Sequence, residues 1–555
     1  MKWLQKTMKS SLIVAIIFAF ISQAVADSKT GYFRIELTDK AHNQYNLDEP
    51  AEFLSERAIE RRKKSNIEID SADLPVSQVY KDSINRAGVE YRFDSRWFNY
   101  VIAGFPHDSI YDYLSGKDFV KEISLVKPFL NDEDSLSSGV SKSQLAFEPK
   151  TPARRYGESF TQIEQLNGHY LHEKEHKGAG KLIAVLDAGF PGVDHVEAFS
   201  GLREDGRIVG NYDFIRGEAD VYADHPHGTN VLSIMAAELE DRFKGTAPDA
   251  SYLLLRTEDA ASEYRIEEHS WIAAAEYADS AGADIINSSL GYTIFDDSTM
   301  NYHQSDLDGE TTWVARGAGK AVDRGILVVN SAGNSRRDQW GTLVSPADGS
   351  DVLSIGAIDA QENIANFSSP GYTADGRVAP SVVAMGSSTP FIGSNGDVYT
   401  GNGTSFSAPV ISGMAASLWS AAEDRDSYEI RELIKDYAHL RDNPDEDMGY
   451  GIPNFFAMYR SMEGIEFEAP FEVEKAYPNP FNREIALELS ADQNIEVKGL
   501  LTDSKGRKVI EKDFKIRKNE YKEVIFDGLE NVASGLYHLR LIEGDEVFEI
   551  KFIKP

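Results

Sequence analysis

The sequence predicts an α/β protein with a small α+β block before it and an all-β sandwich after it. Three observations carry that expectation. Over residues 152–462, near-continuous apolar strands alternate with helical stretches, the pattern of a parallel sheet covered on both faces. Over residues 477–555, apolar and polar residues alternate with period two and no long helix interrupts them. Over residues 27–130, single strands alternate with short amphipathic helices. The 555 residues suit three or four folded units.

Composition narrows the function classes. Ninety acidic against 57 basic residues give a formal net charge of −33. Nucleic acid is excluded as a main partner, because phosphate binding needs clustered Lys and Arg. There is no cysteine, so disulfides, thiolate metal sites and a thiol nucleophile are excluded.

The elements follow in chain order. Lys2, Lys6 and Lys9 precede an apolar run at 11–21 and the small-residue pattern Ala24-Val25-Ala26, which reads as a signal peptide over 1–26. The run is too short to span a bilayer. In the block 27–130 the pattern predicts a strand at 32–37 and a helix at 50–64, with Phe53, Leu54, Ala58 and Ile59 on one stripe. A helix at 76–87, strands at 89–93 and 100–105, a helix at 109–114 and a strand at 120–126 complete it. The basic run Arg61-Arg62-Lys63-Lys64 reads as a solvated helix end. Residues 131–151 are polar and aperiodic, a linker exposed to proteolysis.

In the block 152–462, strands are expected at 181–186, 251–255, 284–288, 326–330 and 352–357. Helices are expected at 228–237, 266–281, 313–324 and 405–421. A second linker, 463–476, leads to the β-block 477–555.

Four segments of the central block carry chemistry. Ile183-Ala184-Val185-Leu186-Asp187-Ala188-Gly189 is a buried strand ending in a carboxylate. His227-Gly228-Thr229 opens a helix, and Asn330-Ser331-Ala332-Gly333-Asn334 ends a strand. Gly403-Thr404-Ser405-Phe406-Ser407-Ala408-Pro409 opens a helix of small residues. In open α/β sheets functional groups gather at the carboxyl ends of strands. The set supplies a charge relay in Asp, His, Ser order. Ser405 is the nucleophile, His227 its base, and Asp187 the group that orients the imidazole. The Ser405 backbone N–H and the Asn334 amide are donors for an oxyanion.

These segments resemble the subtilisin-like serine proteases. Asp187-Ala188-Gly189 resembles Asp-Thr/Ser-Gly with Ala in the middle, and His227-Gly228-Thr229-Asn230 resembles His-Gly-Thr-His with Asn last. Ala332-Gly333-Asn334 resembles the oxyanion motif, and residues 403–409 resemble Gly-Thr-Ser-Met-Ala-Ser-Pro. Asn287-Ser288-Ser289-Leu290-Gly291 resembles the strand that pairs with extended substrate.

The resemblance implies a subtilisin-like parallel-sheet catalytic domain and a serine endopeptidase made as a zymogen, acting on polypeptides. Ser289, Leu290 and Gly291 face Ser331, Ala332 and Gly333 across the primary specificity pocket, which their small side chains leave roomy. Val344 lies near the pocket base, and a second substrate edge comes from Arg256 to Glu258. No cofactor is required. The acidic loop Asp306-Leu307-Asp308-Gly309-Glu310 lacks a full EF-hand ligand series. It reads as a helix-capping loop, with a structural calcium as the alternative the family allows.

His172-Glu173-Lys174-Glu175-His176 fits the zinc pattern H-E-x-x-H. Charged residues inside it and the glycines after it make it an exposed helix instead. The first block resembles subtilase propeptides, an intramolecular inhibitor, with Leu54-Ser55-Glu56-Arg57-Ala58 resembling secreted Gram-negative examples. The last block, with Tyr477-Pro478-Asn479-Pro480-Phe481-Asn482, Gly535-Leu536-Tyr537 and Lys551-Phe552-Ile553-Lys554, resembles the sorting domain of type IX secretion. The chain is therefore expected to be a secreted monomer that meets that machinery. The alternative is a catalytically silent adhesion protein on the same scaffold.

Overall fold

The computed structural model describes residues 29–129, 145–146, 156–544 and 546–555. The expected signal peptide and nearly all of the linker at 131–151 lie outside the described residues. Among the described residues no helix is long and apolar enough to cross a membrane.

The central block is built on seven parallel strands. Their order across the sheet is Val382–Met385, Leu353–Ile358, Leu327–Ser331, Ile285–Ser288, Leu182–Asp187, Ser251–Arg256 and Ile208–Asp213. The strand Leu182–Asp187 is buried along its whole length, as a sheet covered on both faces requires. The chain order reverses between Leu182–Asp187 and Ile285–Ser288. A crevice opens at the carboxyl ends of such a pair, where α/β folds place their sites. The helix Thr404–Ala421 crosses one face and is buried from Thr404 to Trp419. A helix apolar or small on every side belongs in a core. The opposite face carries Ile266–Ala281 and Trp313–Asp323.

The first block is a four-stranded antiparallel sheet ordered Glu90–Ser95, Tyr100–Phe105, Gly31–Leu37 and Val120–Pro128. The expected helix at 50–64 divides. A short 3-10 turn, Pro50–Glu52, precedes the helix Glu56–Lys64. Ser55 caps the latter by accepting from the Ala58 N–H, which satisfies one of the free donors of the first turn.

The expected solvated end of that helix holds for Lys63 and Lys64 but not for the two arginines before them. Arg61 and Arg62 are buried, at 7% and 1% exposure. Both pair with Asp279 on the helix Ile266–Ala281, and Arg62 also pairs with Asp73 at 2.7 Å. Arg96 reaches the same Asp279 at 2.5 Å. Beside it Glu276 accepts from the Ser95 hydroxyl, the Arg96 N–H and the Trp97 N–H, at 2.5, 2.8 and 3.1 Å. The first block therefore docks through a buried charge cluster set beside an apolar seam of Phe93, Trp97, Tyr100 and Ile102 on Trp271 and Ile272.

The last block is a sandwich of two antiparallel sheets. One is Phe471–Tyr477, Ile485–Ala491 and Tyr521–Phe526. The other is Lys508–Ile516, Ile495–Asp503, Gly535–Glu543 and Glu546–Lys554. Their inward residues, among them Leu487, Leu489, Leu539 and Phe552, form one core. This block docks through aromatic rings and through the buried Arg460, which pairs with Glu472 at 2.9 Å and Glu474 at 3.2 Å. Tyr521 sits 4.7 Å from Tyr170, 4.9 Å from His169 and 5.7 Å from Phe456.

Candidate active site

The residues expected to act together converge at the switch point. Asp187 ends its strand fully buried. Its carboxylate accepts from the Ala188 N–H at 2.7 Å and meets His227 Nδ1 at 2.8 and 3.0 Å. The main-chain donor at Ala188 holds the carboxylate without a hydroxyl at that position. His227 is the first residue of the helix His227–Ala236. Gly228 permits the approach, since a Cβ there would lie 2.5 Å from the Gly189 carbonyl and 3.0 Å from the Asp187 Cβ.

Ser405 lies in the first turn of the helix Thr404–Ala421 and is 6% exposed. Its hydroxyl donates to the Ser289 carbonyl at 3.3 Å rather than to His227. Resting sites often hold such bonds loosely until substrate is bound. The ring of the next residue, Phe406, lies 6.4 Å from that of His227, so both helix starts face one another. Pro409 lacks the N–H that would bond the Ser405 carbonyl within the helix. The Ser289 hydroxyl supplies the missing donor at 3.0 Å. The substrate-edge residue thus braces the nucleophile's turn.

Asn334 follows the strand Leu327–Ser331. Its Oδ1 accepts from the Thr404 N–H at 2.9 Å and the Thr404 hydroxyl at 3.2 Å. That hydroxyl in turn accepts from the Gly333 N–H at 3.1 Å. Two donors on Oδ1 leave the Asn334 NH2 to face the crevice. Sequence reasoning quoted Thr404 only as part of a motif. Its hydroxyl sits between two motifs about seventy residues apart in the chain and has no local signal.

Ser289, Leu290 and Gly291 directly follow the strand Ile285–Ser288. Opposite them, Ser331 and Ala332 are buried, and Ala332 bonds through its N–H to Ile355 and through its carbonyl to Val344. The Gly333 carbonyl accepts from Ser369. On the other wall the Leu290 carbonyl accepts from the Asn330 side-chain amide at 3.1 Å, which ties the two walls together. Val344 corrects the expected roomy pocket. A Cβ on Gly291 would meet its Cγ2 at 2.2 Å, and one on Gly333 would meet its Cγ1 at 3.0 Å. The isopropyl group fills the gap between the two walls.

The two metal readings fail on their donor sets. His172 is buried, with Nε2 3.1 Å from the Thr246 carbonyl and its ring stacked on Tyr156. Burial pushes its pKa down to about 4. The helix ends at Glu173, so His176 does not share a face with it. The segment is not the exposed helix the sequence predicts.

In the acidic loop, Asp306 accepts from the His303 N–H, and Asp308 from the Glu310 and Thr311 N–H groups and the Thr311 hydroxyl. The Arg377 guanidinium takes the carbonyls of Asp308, Asp348 and Gly349 at 3.1, 2.7 and 3.2 Å. These carboxylates and carbonyls already have donors, so the loop does not fit a calcium ion. Among the described residues no group of three or more His, Asp or Glu side chains could hold a metal.

A doubly wound parallel sheet with an Asp–His pair, a serine at a helix start and an anchored asparagine at its switch point defines a charge-relay α/β class. More particularly, residues 178–451 match the model of the subtilase family, and over that span the chain is a member of it. Residues 32–141 match the peptidase S8 propeptide domain of Bacteroidota, and residues 475–555 the secretion system C-terminal sorting domain. A thermophilic serine proteinase of Bacillus sp. (strain AK1) is 31% identical over 50% of this chain and 61% of its own length. Subtilisin DY of Bacillus licheniformis is 27% identical over 50% of this chain and 90% of its own. The solved structure of MycP1 from Mycobacterium smegmatis covers 61% of this chain and 93% of that chain, at 22% identity and a TM-score of 0.45. The chain thus spans under two thirds of the length of the first of these relatives.

Proposed function

We propose that the chain is a secreted serine endopeptidase, made as a zymogen and exported by type IX secretion. One observation carries this reading. Asp187 holds His227 at 2.8 Å beside a helix start that presents Ser405 next to an asparagine whose amide is aimed by Thr404.

The chemistry runs as follows. The Ser405 hydroxyl turns from the Ser289 carbonyl to His227 Nε2 and attacks the scissile carbonyl carbon as the imidazole takes its proton. Asp187 stabilises the imidazolium. The Ser405 N–H and the Asn334 NH2 receive the oxyanion, and each such donor is worth roughly 3–4 kcal/mol of barrier. The imidazolium then protonates the leaving amine. Water, activated by the same imidazole, frees the acyl group.

Substrate adds as an extended strand along Ser289, Leu290 and Gly291. Val344 leaves room in the pocket for small apolar side chains before the cut. The first block acts as the intramolecular inhibitor, and the last block carries the export signal.

The test uses the full-length chain and its Ser405→Ala variant. The expected result is cleavage within residues 131–162 and fluorophosphonate labelling at Ser405, both lost in the variant. Absence of both in the wild-type chain, folded to the same spectrum, would overturn the reading.

A further inference from the structure

The strand Val120–Pro128 carries the first block up to the crevice, and near its end Lys127 leaves that block for the central one. Its Nζ lies 2.9 Å from Asp259 Oδ2 and 2.7 Å from the Ser262 hydroxyl. It also lies 5.6 Å from the centre of the Tyr264 ring. The ammonium is enclosed, with 19% of the Lys127 side chain exposed. The acceptors are held by the central block itself. Ser262 donates its hydroxyl to Asp259 Oδ2 at 2.9 Å, and the Ala261 N–H donates to Oδ1 at 3.2 Å. The Asp259 N–H donates to Glu267 at 2.8 Å.

The place of this cradle matters. Arg256 is the strand neighbour of Asp187, and the Thr257 N–H donates to the Asp187 carbonyl at 2.9 Å. Glu258 accepts from the Tyr292 hydroxyl at 2.5 Å, and Tyr292 directly follows Gly291. Asp259 therefore stands at the rim of the crevice, joined to both of its edges.

Its surroundings hold further carboxyl groups, which burial keeps wholly or partly protonated near pH 7. Glu258, Glu263 and Glu267 lie behind it. Burial, reinforced by neighbouring carboxylates, pushes the Glu258 carboxyl up to about 7 and that of Glu263 up to about 9. The nearby guanidinium groups are engaged elsewhere, Arg256 with Asp213 and Asp224 and Arg265 with the Met300 carbonyl. When the first block leaves, Asp259 loses its cation while the Ser262 hydroxyl and the Tyr264 ring stay beside it.

We infer that Asp259, Ser262 and Tyr264 form a subsite for the Lys or Arg side chain of a polypeptide substrate, upstream of the bond cut, which Lys127 fills in the zymogen. The inference rests on the endopeptidase reading. The upstream side follows because Lys127 precedes the segment where the maturation cut is expected. A carboxylate, a hydroxyl and a ring face together suit an extended cationic side chain.

The test is a set of internally quenched peptides cut by the autoprocessed enzyme. Lys is compared with its neutral isostere norleucine at each position from the second to about the eighth upstream, the reach of an extended strand at ~3.3 Å per residue. At one or two adjacent positions Lys should raise kcat/KM about fivefold, mainly through KM. In Asp259→Asn, normalised by active-site titration, that ratio should fall to about one. In Asp259→Lys it should turn to favour Glu at the same position. A ratio of one at every position in the wild-type enzyme, or a ratio kept in Asp259→Asn, overturns the subsite while the protease reading stands. If no peptide is cut, both fall.

Discussion

The first and last blocks both dock on the central one, and they do so with a different balance of contacts. The first block adds charge taken out of water to an apolar seam of Phe93, Trp97, Tyr100 and Ile102 on Trp271 and Ile272. Arg61, Arg62 and Arg96 converge on Asp279, and Glu276 accepts three bonds from residues 95–97. The last block is held by rings, with Tyr521 seated among His169, Tyr170 and Phe456, and by a buried guanidinium, Arg460, on Glu472 and Glu474. A buried ion cluster adds little net stability over an apolar one, yet it is strict about its partner. When it opens, each charge regains water. Opening the aromatic contact instead exposes apolar surface, which has no such recompense.

Breaking the charge cluster should have the largest effect. Asp279→Ala leaves three arginines buried without their shared carboxylate, a loss of about 3–5 kcal/mol. The expected outcome is that the first block no longer protects the helix Ile266–Ala281 from hydrogen exchange in the Ser405→Ala background. Unchanged protection would mean that apolar contacts, such as Phe98 on Trp313 at 5.5 Å, carry the docking. Tyr521→Ala should come next, at about 3 kcal/mol for a buried aromatic ring. The last block should then be cut from the chain by limited proteolysis near residue 465 far sooner, while the first block keeps its protection. If both blocks loosen together, the two interfaces are not independent.

The sequence made the site legible because its groups sit where apolar strands stop. Asp187 ends such a strand, Asn334 follows another closely, and each can be found from local pattern alone. Illegible were the groups whose partners are remote. Arg61 and Arg62 read as solvated because Asp279 lies more than two hundred residues away. Lys127 and Asp259 are 132 residues apart. Thr404 and Val344 act only once separate loops meet. Among the elements, the edge strand Ile208–Asp213 escaped because it is half-exposed and carries no clean alternation. The short strand Val382–Met385 and the helices Ser427–Asp436 and Phe455–Met462 were also missed. The central strands were visible because burial on both faces makes them uniformly apolar.

The smallest effect is also the sharpest test of the contrast, because acid should weaken one interface while two groups at the other offset each other. At the last block, burial between Phe160 and Tyr521 pushes the His169 pKa down to about 4, with Glu173 the charged neighbour that opposes the shift. Freed, His169 returns toward 6.5. The undocked state then binds the proton more readily, so this interface is fully stable above 6.5 and weakens as pH falls toward 4. At the first block, burial pushes Glu276 up to about 7 against the pull of Arg96. Freed, it returns toward 4.5. For Glu276 the docked state binds the proton more readily, which tightens docking as pH falls from 7 toward 4.5. His269, its pKa held well below the usual range by burial and by Arg34 and its ring bonded to Tyr100, opposes that tightening. Each effect is at most roughly 3 kcal/mol. Hydrogen exchange on the Ser405→Ala chain at pH 8 and pH 5, with intrinsic rates divided out, should therefore show faster exchange around Tyr521 at pH 5. The helix Glu56–Lys64 should change less, because Glu276 and His269 offset each other there. His169→Phe, which keeps the ring and removes the proton site, should abolish the acid response at the last block alone. A response that survives this change would place the sensitivity in the surface pairs Arg517–Glu362 and Lys475–Glu173 and dissolve the contrast drawn from the rings.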